Sequence, residues 1–293
     1  MSRFVRVAGL LMAAASTLNA CGTSDDDSEG TSAPTPVEIV TPETVTASIT
    51  EAAPDSTRVA IAADATWQWQ LQGDINTGYD VDVYDIDLFD APSSVIDQLR
   101  SDGRTVICYF SAGSFEQWRD DAARFPAAAI GNTLDGWEDE RWVDTRDVTV
   151  RDALAARLDL AVRRGCDGVE PDNVTAFQND SGFDLTADDQ LDFNRFLAMA
   201  AHGRGLVIGL KNDLSQILDL VDAFDFAVNE ECLQYEECGV YAPFVEAGKA
   251  VLNAEYDEAA VRDPAGTCAA AEAAGLRTLI LPLDLDDSMR ISC

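Results

Sequence analysis

Histidine is almost missing from this chain: of 293 residues, only one, His202, is a histidine. That scarcity excludes multi-histidine zinc and iron sites. It also leaves any Ser-His-Asp triad dependent on a single imidazole. Lysine is nearly as rare, with Lys211 and Lys249 the two in the sequence. Against 53 acidic residues stand 20 basic ones, a formal net charge of −33. So small a cationic complement excludes a nucleic-acid partner, because phosphate binding needs clustered Lys and Arg. It argues equally against anionic lipid surfaces and anionic polysaccharides. It favours a neutral or cationic ligand, which an acidic cleft concentrates. Paired CxxC spacing, an EF-hand loop and a glycine-rich phosphate loop are absent too, so no metal and no cofactor is expected. The one run of three aspartates, Asp25-Asp26-Asp27, lies in the polar N-terminal segment, where a calcium-binding reading finds no loop to support it.

There is no apolar run long enough for a stable membrane span. Arg3 and Arg6 precede an apolar stretch over residues 7–15. This is the charged and then hydrophobic layout of an export signal. The string Leu18-Asn19-Ala20-Cys21 resembles the lipobox of bacterial lipoproteins, which implies cleavage before Cys21 and lipidation of its thiol. Residues 22–58 are rich in Ser, Thr, Asp, Glu and Pro, with no sustained apolar periodicity. Such a segment cannot bury enough surface to offset its ordering entropy. The expected organisation is a signal peptide over 1–20, a lipid-anchored disordered linker over 21–60 and a folded domain over 61–293. The protein would be exported, either anchored in the cell envelope or secreted, and would touch a membrane through its lipid alone. Six cysteines remain after Cys21, and an even number outside the cytoplasm favours disulfides. The short spacing of Cys232 and Cys238 suggests a local staple. Cys268 with Cys293 would pin the C-terminus, leaving Cys108 and Cys166 as a pair by elimination.

From residue 61 onward, roughly 230 residues remain, enough for one α/β barrel. Short apolar strand candidates recur at 66–71, 81–86, 105–110, 168–170, 206–210, 226–228, 250–254 and 278–281. Helical patterns lie between them at 93–101, 151–164, 186–202, 214–221 and 241–247, for example with Leu154, Leu158 and Ala161 on one face. Gly103, Gly165, Gly205, Gly248 and Gly275 each fall just before a strand, where a helix C-cap belongs. Eight strands predict an α/β fold of the (β/α)8 TIM type, although no helix is evident between the first two. An open doubly wound sheet would instead expect a phosphate loop after the first strand, and Gln70-Leu71-Gln72-Gly73 is not one.

Barrel chemistry sits at the C-terminal ends of the strands. Those ends carry Asp85 and Asp87, Tyr109, Glu170-Pro171-Asp172-Asn173, Lys211-Asn212-Asp213, Asn229-Glu230-Glu231, Glu255-Tyr256, and Asp284 with Asp286. Carboxylates therefore converge on one rim. Two carboxyls flanking a scissile bond suffice for glycoside hydrolysis: one donates a proton to the leaving oxygen, the other acts ionised. Partial burial and like-charge repulsion hold such a pair in different protonation states. Trp67, Trp69, Tyr109, Tyr235 and Tyr256 could offer faces to sugar rings, or simply pack the core.

In order along the chain, Trp67-Gln68-Trp69-Gln70-Leu71, Val83-Tyr84-Asp85-Ile86-Asp87, the stretch from Val106 to Gly113, Gly165-Cys166-Asp167-Gly168-Val169-Glu170-Pro171-Asp172-Asn173-Val174, Gly209-Leu210-Lys211-Asn212, Asn229-Glu230-Glu231-Cys232 and Glu255-Tyr256 resemble glycoside hydrolase family 114. The resemblance implies a TIM-type barrel acting as an endo-α-1,4-polygalactosaminidase. Its two catalytic acids map onto Asp172 and Glu230. The family commonly has Gln where this chain has Glu231, and of two adjacent acids on an extended segment only one faces the cleft. Asp172 is assigned as nucleophile and Glu230 as general acid/base. Expected substrate contacts are Trp67, Asp87, Tyr109, Asn173, Lys211, Asn229, Glu255 and Tyr256. Of these, Asp87 would meet a substrate amine and Lys211 would partner a carboxylate. The substrate would be a polysaccharide whose unacetylated galactosamine carries an ammonium. A non-catalytic glycan-binding lipoprotein on the same barrel is the competing expectation.

Overall fold

In this computed structural model the chain is described from residue 58 to residue 293. The expected signal peptide, Cys21 and residues 21–57 of the expected linker lie outside the described residues. Twelve strands are formed: β1 (Trp67–Gln70), β2 (Val83–Asp87), β3 (Thr105–Ser111), β4 (Ser114–Glu116), β5 (Ile130–Leu134), β6 (Trp137–Val143), β7 (Gly168–Asp172), β8 (Val207–Lys211), β9 (Phe226–Glu230), β10 (Val251–Glu255), β11 (Arg277–Ile280) and β12 (Ile291–Ser292). The helices are α1 (Ser93–Ser101), α2 (Val148–Arg164), α3 (Ala187–His202), α4 (Ile217–Leu220), α5 (Ala242–Glu246), α6 (Glu258–Arg262) and α7 (Pro264–Ala273). Among the described residues no helix is long and apolar enough to cross a membrane.

Nine strands make one curled sheet in the order β1-β2-β3-β7-β8-β9-β10-β11-β12. The first eight of these are parallel to their neighbours, and β12 alone runs antiparallel, against β11. This α/β arrangement is consistent with a TIM-type barrel. The two ends of the sheet approach each other through side-chain and loop contacts. Trp67 Nε1 donates to Arg277 O at 2.9 Å, Arg290 Nη2 donates to Trp67 O at 2.7 Å, and Leu71 N donates to Leu285 O at 3.0 Å.

The strands alternate between two apolar layers, as a period of two requires. Trp67, Trp69, Val83, Ile107, Val207, Phe226, Val228, Leu252 and Leu279 form an inner cluster. Tyr84, Ile86, Val106, Val169, Ile208, Leu210, Ala227 and Val251 face the other way and pack with Leu154, Leu158, Phe193 and Leu197 of the helices. Fully burying each such side chain contributes on the order of 1.5–3 kcal/mol. Local signals set the ends of the elements. Asp147 caps α2 by accepting from Thr149 N and Val150 N, and α2 stops at Gly165, whose φ of 86° few other residues would adopt. The other four glycines expected at C-caps also have positive φ.

Among the described residues there are three disulfides: Cys108–Cys166, Cys232–Cys238 and Cys268–Cys293. The first joins β3 to the turn before β7. The second closes the loop after β9, and the third ties α7 to the C-terminus.

The antiparallel sheet β4-β6-β5 was not foreseen. Its strand β6 opens with Trp137-Glu138-Asp139-Glu140, which is largely exposed and carries no apolar alternation. Helix α7 escaped for the opposite reason: its alanines give almost no contrast between faces.

Candidate active site

The inward layer places the chemistry. On β7, Gly168, Glu170 and Asp172 share the side opposite Val169. Lys211 ends β8 in register with Val207, and Glu230 ends β9 in register with Phe226 and Val228. These ends open into a cavity of about 910 Å³ lined by Asp87, Tyr109, Asp172, Asn173, Lys211 and Glu230, among others.

Lys211 is the hub. Its Nζ is 3.3 Å from Asp172 Oδ1, 3.2 Å from Glu230 Oε2 and 3.2 Å from Glu170 Oε1. It also lies 4.8 Å from the centre of the Trp69 ring. Burial alone would neutralise this amine, but Asp172, Glu230 and Glu170 reverse that and hold it as an ammonium, its pKa well above the usual lysine value. Asp172 Oδ1 and Glu230 Oε2, which share it, can be no more than about 6.5 Å apart, the limit set by their distances to Nζ.

Each acid also has its own donors. Asp172 accepts from Asn173 N at 2.7 Å and from the Tyr109 hydroxyl at 3.0 Å. Glu230 accepts from the Tyr256 hydroxyl at 2.7 Å and from Asn212 Nδ2 at 3.3 Å. Burial and the adjoining carboxylates push both phenols above their ordinary range, so they remain donors. The side chain of Asp172 is 19% exposed and that of Glu230 28%, so both reach solvent.

The exits of these three strands turn sharply. Asn173, Asn212 and Glu231, each following a site residue, have φ of 61°, 49° and 61°. A left-handed residue there costs about 1–2 kcal/mol. It reverses the chain at once and leaves the preceding side chain at the cavity. Glu230 therefore lines the cavity while Glu231, whose amide donates to Ala254 O, is not among the lining residues.

Several expected substrate contacts are placed elsewhere. Asn229 is completely buried on the outer side of β9 and donates to the Tyr241 hydroxyl at 2.8 Å. Glu255, on the outer side of β10, accepts from Leu233 N at 2.9 Å and so fixes the loop after Glu230. The strand period decides both: with Glu230 and Tyr256 facing inward, their preceding neighbours face outward. Trp67 is buried in the inner cluster, stacked on Trp69 at 5.8 Å between ring centroids, with its Nε1 occupied by Arg277 O. Tyr256 donates to Glu230 and is not itself among the cavity-lining residues. Asp87 does line the cavity, but both its oxygens are held by Arg119, at 2.6 and 3.0 Å.

The antiparallel sheet and the loop after β4 add further residues to the cavity wall. Trp118 and Trp137, 50% and 51% exposed, line the same cavity with Glu116, Glu138, Asp139 and Glu140. Glu140 accepts from Ser114 Oγ, and burial raises its pKa to about 7. Two tryptophans beside a cluster of acids, between predicted strands, were the available signal. Among the described residues no group of three or more His, Cys, Asp or Glu is arranged to hold a metal ion.

The chain is a glycosidase by its family and by its likeness to a solved relative. Residues 47–293 match glycoside-hydrolase family GH114, and the chain belongs to that family. The crystal structure of Aspergillus fumigatus Ega3, solved with galactosamine, is 40% identical, with a TM-score of 0.76, covering 80% of this chain and 97% of that one. The glycoside hydrolase domain of PelA from Pseudomonas aeruginosa is 15% identical, with a TM-score of 0.62, over 78% of this chain and 98% of that one, and it speaks to the fold alone. No curated protein matches.

Proposed function

We propose that this enzyme cleaves α-1,4-linked galactosamine-containing polysaccharide internally, with Asp172 as nucleophile and Glu230 as general acid/base. The observation that carries the reading is the convergence of these two solvent-reaching carboxyls on Lys211, within one open cavity. Asp172 is held by a backbone amide and a phenol, a fixed arrangement suited to attack on the anomeric carbon. Glu230 is the more exposed, hangs on side-chain donors, and can take a proton from solvent and pass it to the leaving oxygen. The ceiling of about 6.5 Å on the separation of their nearest oxygens lies at the floor of the inverting range. It accommodates the retaining range of about 5–5.5 Å. On the retaining route that this spacing accommodates, Glu230 protonates the leaving oxygen as Asp172 forms a glycosyl ester and the glycosidic bond breaks, and Glu230 then deprotonates the water that releases the sugar.

The substrate class follows from charge. Asp90, Glu138 and Asp139 line the cavity beside Glu116 and Glu140, while its cations Arg119 and Lys211 are already paired. An unacetylated amino sugar brings the ammonium such a wall attracts, and galactosamine is what Ega3 was crystallised with. The sheet and its family support a closed (β/α)8 frame. The N-terminal sequence and three disulfides support export with a lipid on Cys21. The test is digestion of defined α-1,4-galactosamine polymers, acetylated and unacetylated, with mass analysis of the fragments and NMR of the first anomer released. Absence of fragments from either polymer would reject the activity and favour a glycan-binding lipoprotein. An initial product of inverted configuration would reject the nucleophile.

A further inference from the structure

Beneath the catalytic acids lies a second pair that the reaction does not touch. Asp85 on β2 and Glu170 on β7 are both completely buried. The Lys211 ammonium lies 3.2 Å from Glu170 Oε1; among the described residues no donor serves either oxygen of Asp85 or Oε2 of Glu170. The two carboxyls lie within hydrogen-bonding reach of each other. Two ionised carboxylates are acceptors only and cannot make that contact without a proton between them.

Charge balance points the same way. One ammonium, Lys211, faces Asp85, Glu170, Asp172 and Glu230. Burying an ionised carboxylate without donors costs several kcal/mol, more than keeping it protonated. The other groups turned toward this cluster do not relieve it. Asp87 is neutralised by Arg119, Tyr109 is a neutral donor to Asp172, and Trp69 presents an apolar face. Burial raises the pKa of both Asp85 and Glu170, and their mutual repulsion raises Glu170 further.

We propose that Asp85 and Glu170 share one proton and that the pair positions Lys211, presenting a single negative charge that seats the ammonium between Asp172 and Glu230. This rests on the assignment of those two acids as catalytic. The pair never meets substrate; it acts through Lys211. Without its proton it would carry two charges and draw the ammonium down. Without any charge it would release the ammonium wholly to the catalytic acids.

Two isosteric variants test this. Asp85→Asn offers an amide donor to an ionised Glu170, keeping one negative charge but removing the shared proton. Glu170→Gln keeps one charge too, but on Asp85, away from Lys211. Infrared spectra at about pH 8, in a Glu140→Gln, Asp213→Asn background that removes two other raised carboxyls, should show a protonated-carboxyl band that either variant abolishes. A band that survives in either variant overturns the shared proton. The pH profile of kcat/KM separates positioning from mere structure. Glu170→Gln should lower kcat by about tenfold or more and move the profile to lower pH, because Lys211 then stabilises the ionised catalytic acids more strongly. Asp85→Asn should lower kcat less. Profiles that coincide with wild type in both variants overturn the positioning role. If a variant does not fold, the unaltered pair in the same background still decides: no protonated-carboxyl band at about pH 8 rejects the proposal. The infrared result is independent of turnover, so active Asp172→Asn enzyme would refute the catalytic assignment without touching it.

Discussion

Gly113 and Asn173 pack so closely that a Cβ on the glycine would sit 1.7 Å from the asparagine carbonyl oxygen. The same contact lets Ala112 N and Gly113 N donate to Asp172 O, at 2.8 and 3.0 Å. The exit of β3 thereby braces the backbone that carries Asp172, the proposed nucleophile. Gly113→Ala must push that backbone away. Activity should fall by about a hundredfold, since displacements near 1 Å cost this much. Circular dichroism should still report a folded protein. Activity within twofold of wild type would show that the brace is dispensable.

Neutral isosteres of the two acids separate their roles. Asp172→Asn should abolish turnover on every substrate. Glu230→Gln should lose about 10²–10⁴-fold on the polymer but less on a substrate with an activated leaving group, which needs no proton. Equal losses on both substrates would reverse or refute the assignment.

Lys211→Met leaves three carboxyls around a neutral side chain. Breaking such a buried ionic group costs about 3–5 kcal/mol. The loss should be smaller at low pH, where the acids protonate, and larger at high pH. Denaturant midpoints measured across pH would show it, and a midpoint equal to wild type at all pH values would contradict the hub role.

Trp118 and Trp137 stand at the cavity with half their surfaces free. If they are platforms for successive sugar rings, alanine at either should raise KM for long polymer by about tenfold while short oligomers are less affected, since aromatic stacking contributes on the order of 1 kcal/mol or more. Uniform losses on both would indicate a folding defect instead.

Asp213 has a pKa raised to about 7 by burial, only partly offset by Asn194, which donates to it at 2.8 Å. The folded form binds its proton more tightly than the unfolded chain does, whose carboxyl titrates near 4. Stability on this account is full at low pH and falls as pH rises from about 4 through about 7. The loss is at most about 4 kcal/mol. Glu140, also raised to about 7, acts in the same direction. Melting temperature should drop by several degrees between pH 5 and pH 8, and Asp213→Asn should flatten that slope. An unchanged slope would show that general charge repulsion causes the drop.

Much of the frame could be read in one dimension. The eight parallel strands fall within a few residues of their expected positions, because most are short apolar runs and β1 and β2 alternate apolar with polar residues. The C-cap glycines announced the helix ends. The acids Asp172 and Glu230 stood out as polar residues at the exits of apolar strands. Asn229 and Glu255 stood beside them for the same reason, yet the structure turns both to the outer layer. Trp118, Trp137 and Glu140 passed unnoticed because an exposed antiparallel sheet has no buried face to impose a pattern.

Composition and local pattern alone set the charge of the chain, the absence of histidine chemistry, the succession of strands and the identity of its family, since each depends on neighbours in sequence or on residue type. Which acids meet, that they meet around Lys211, and that Asp85 lies under them beside Glu170 was decided only when the sheet curled. Those contacts join residues from different strands, and their distances follow from register and curvature, which no stretch of sequence encodes by itself.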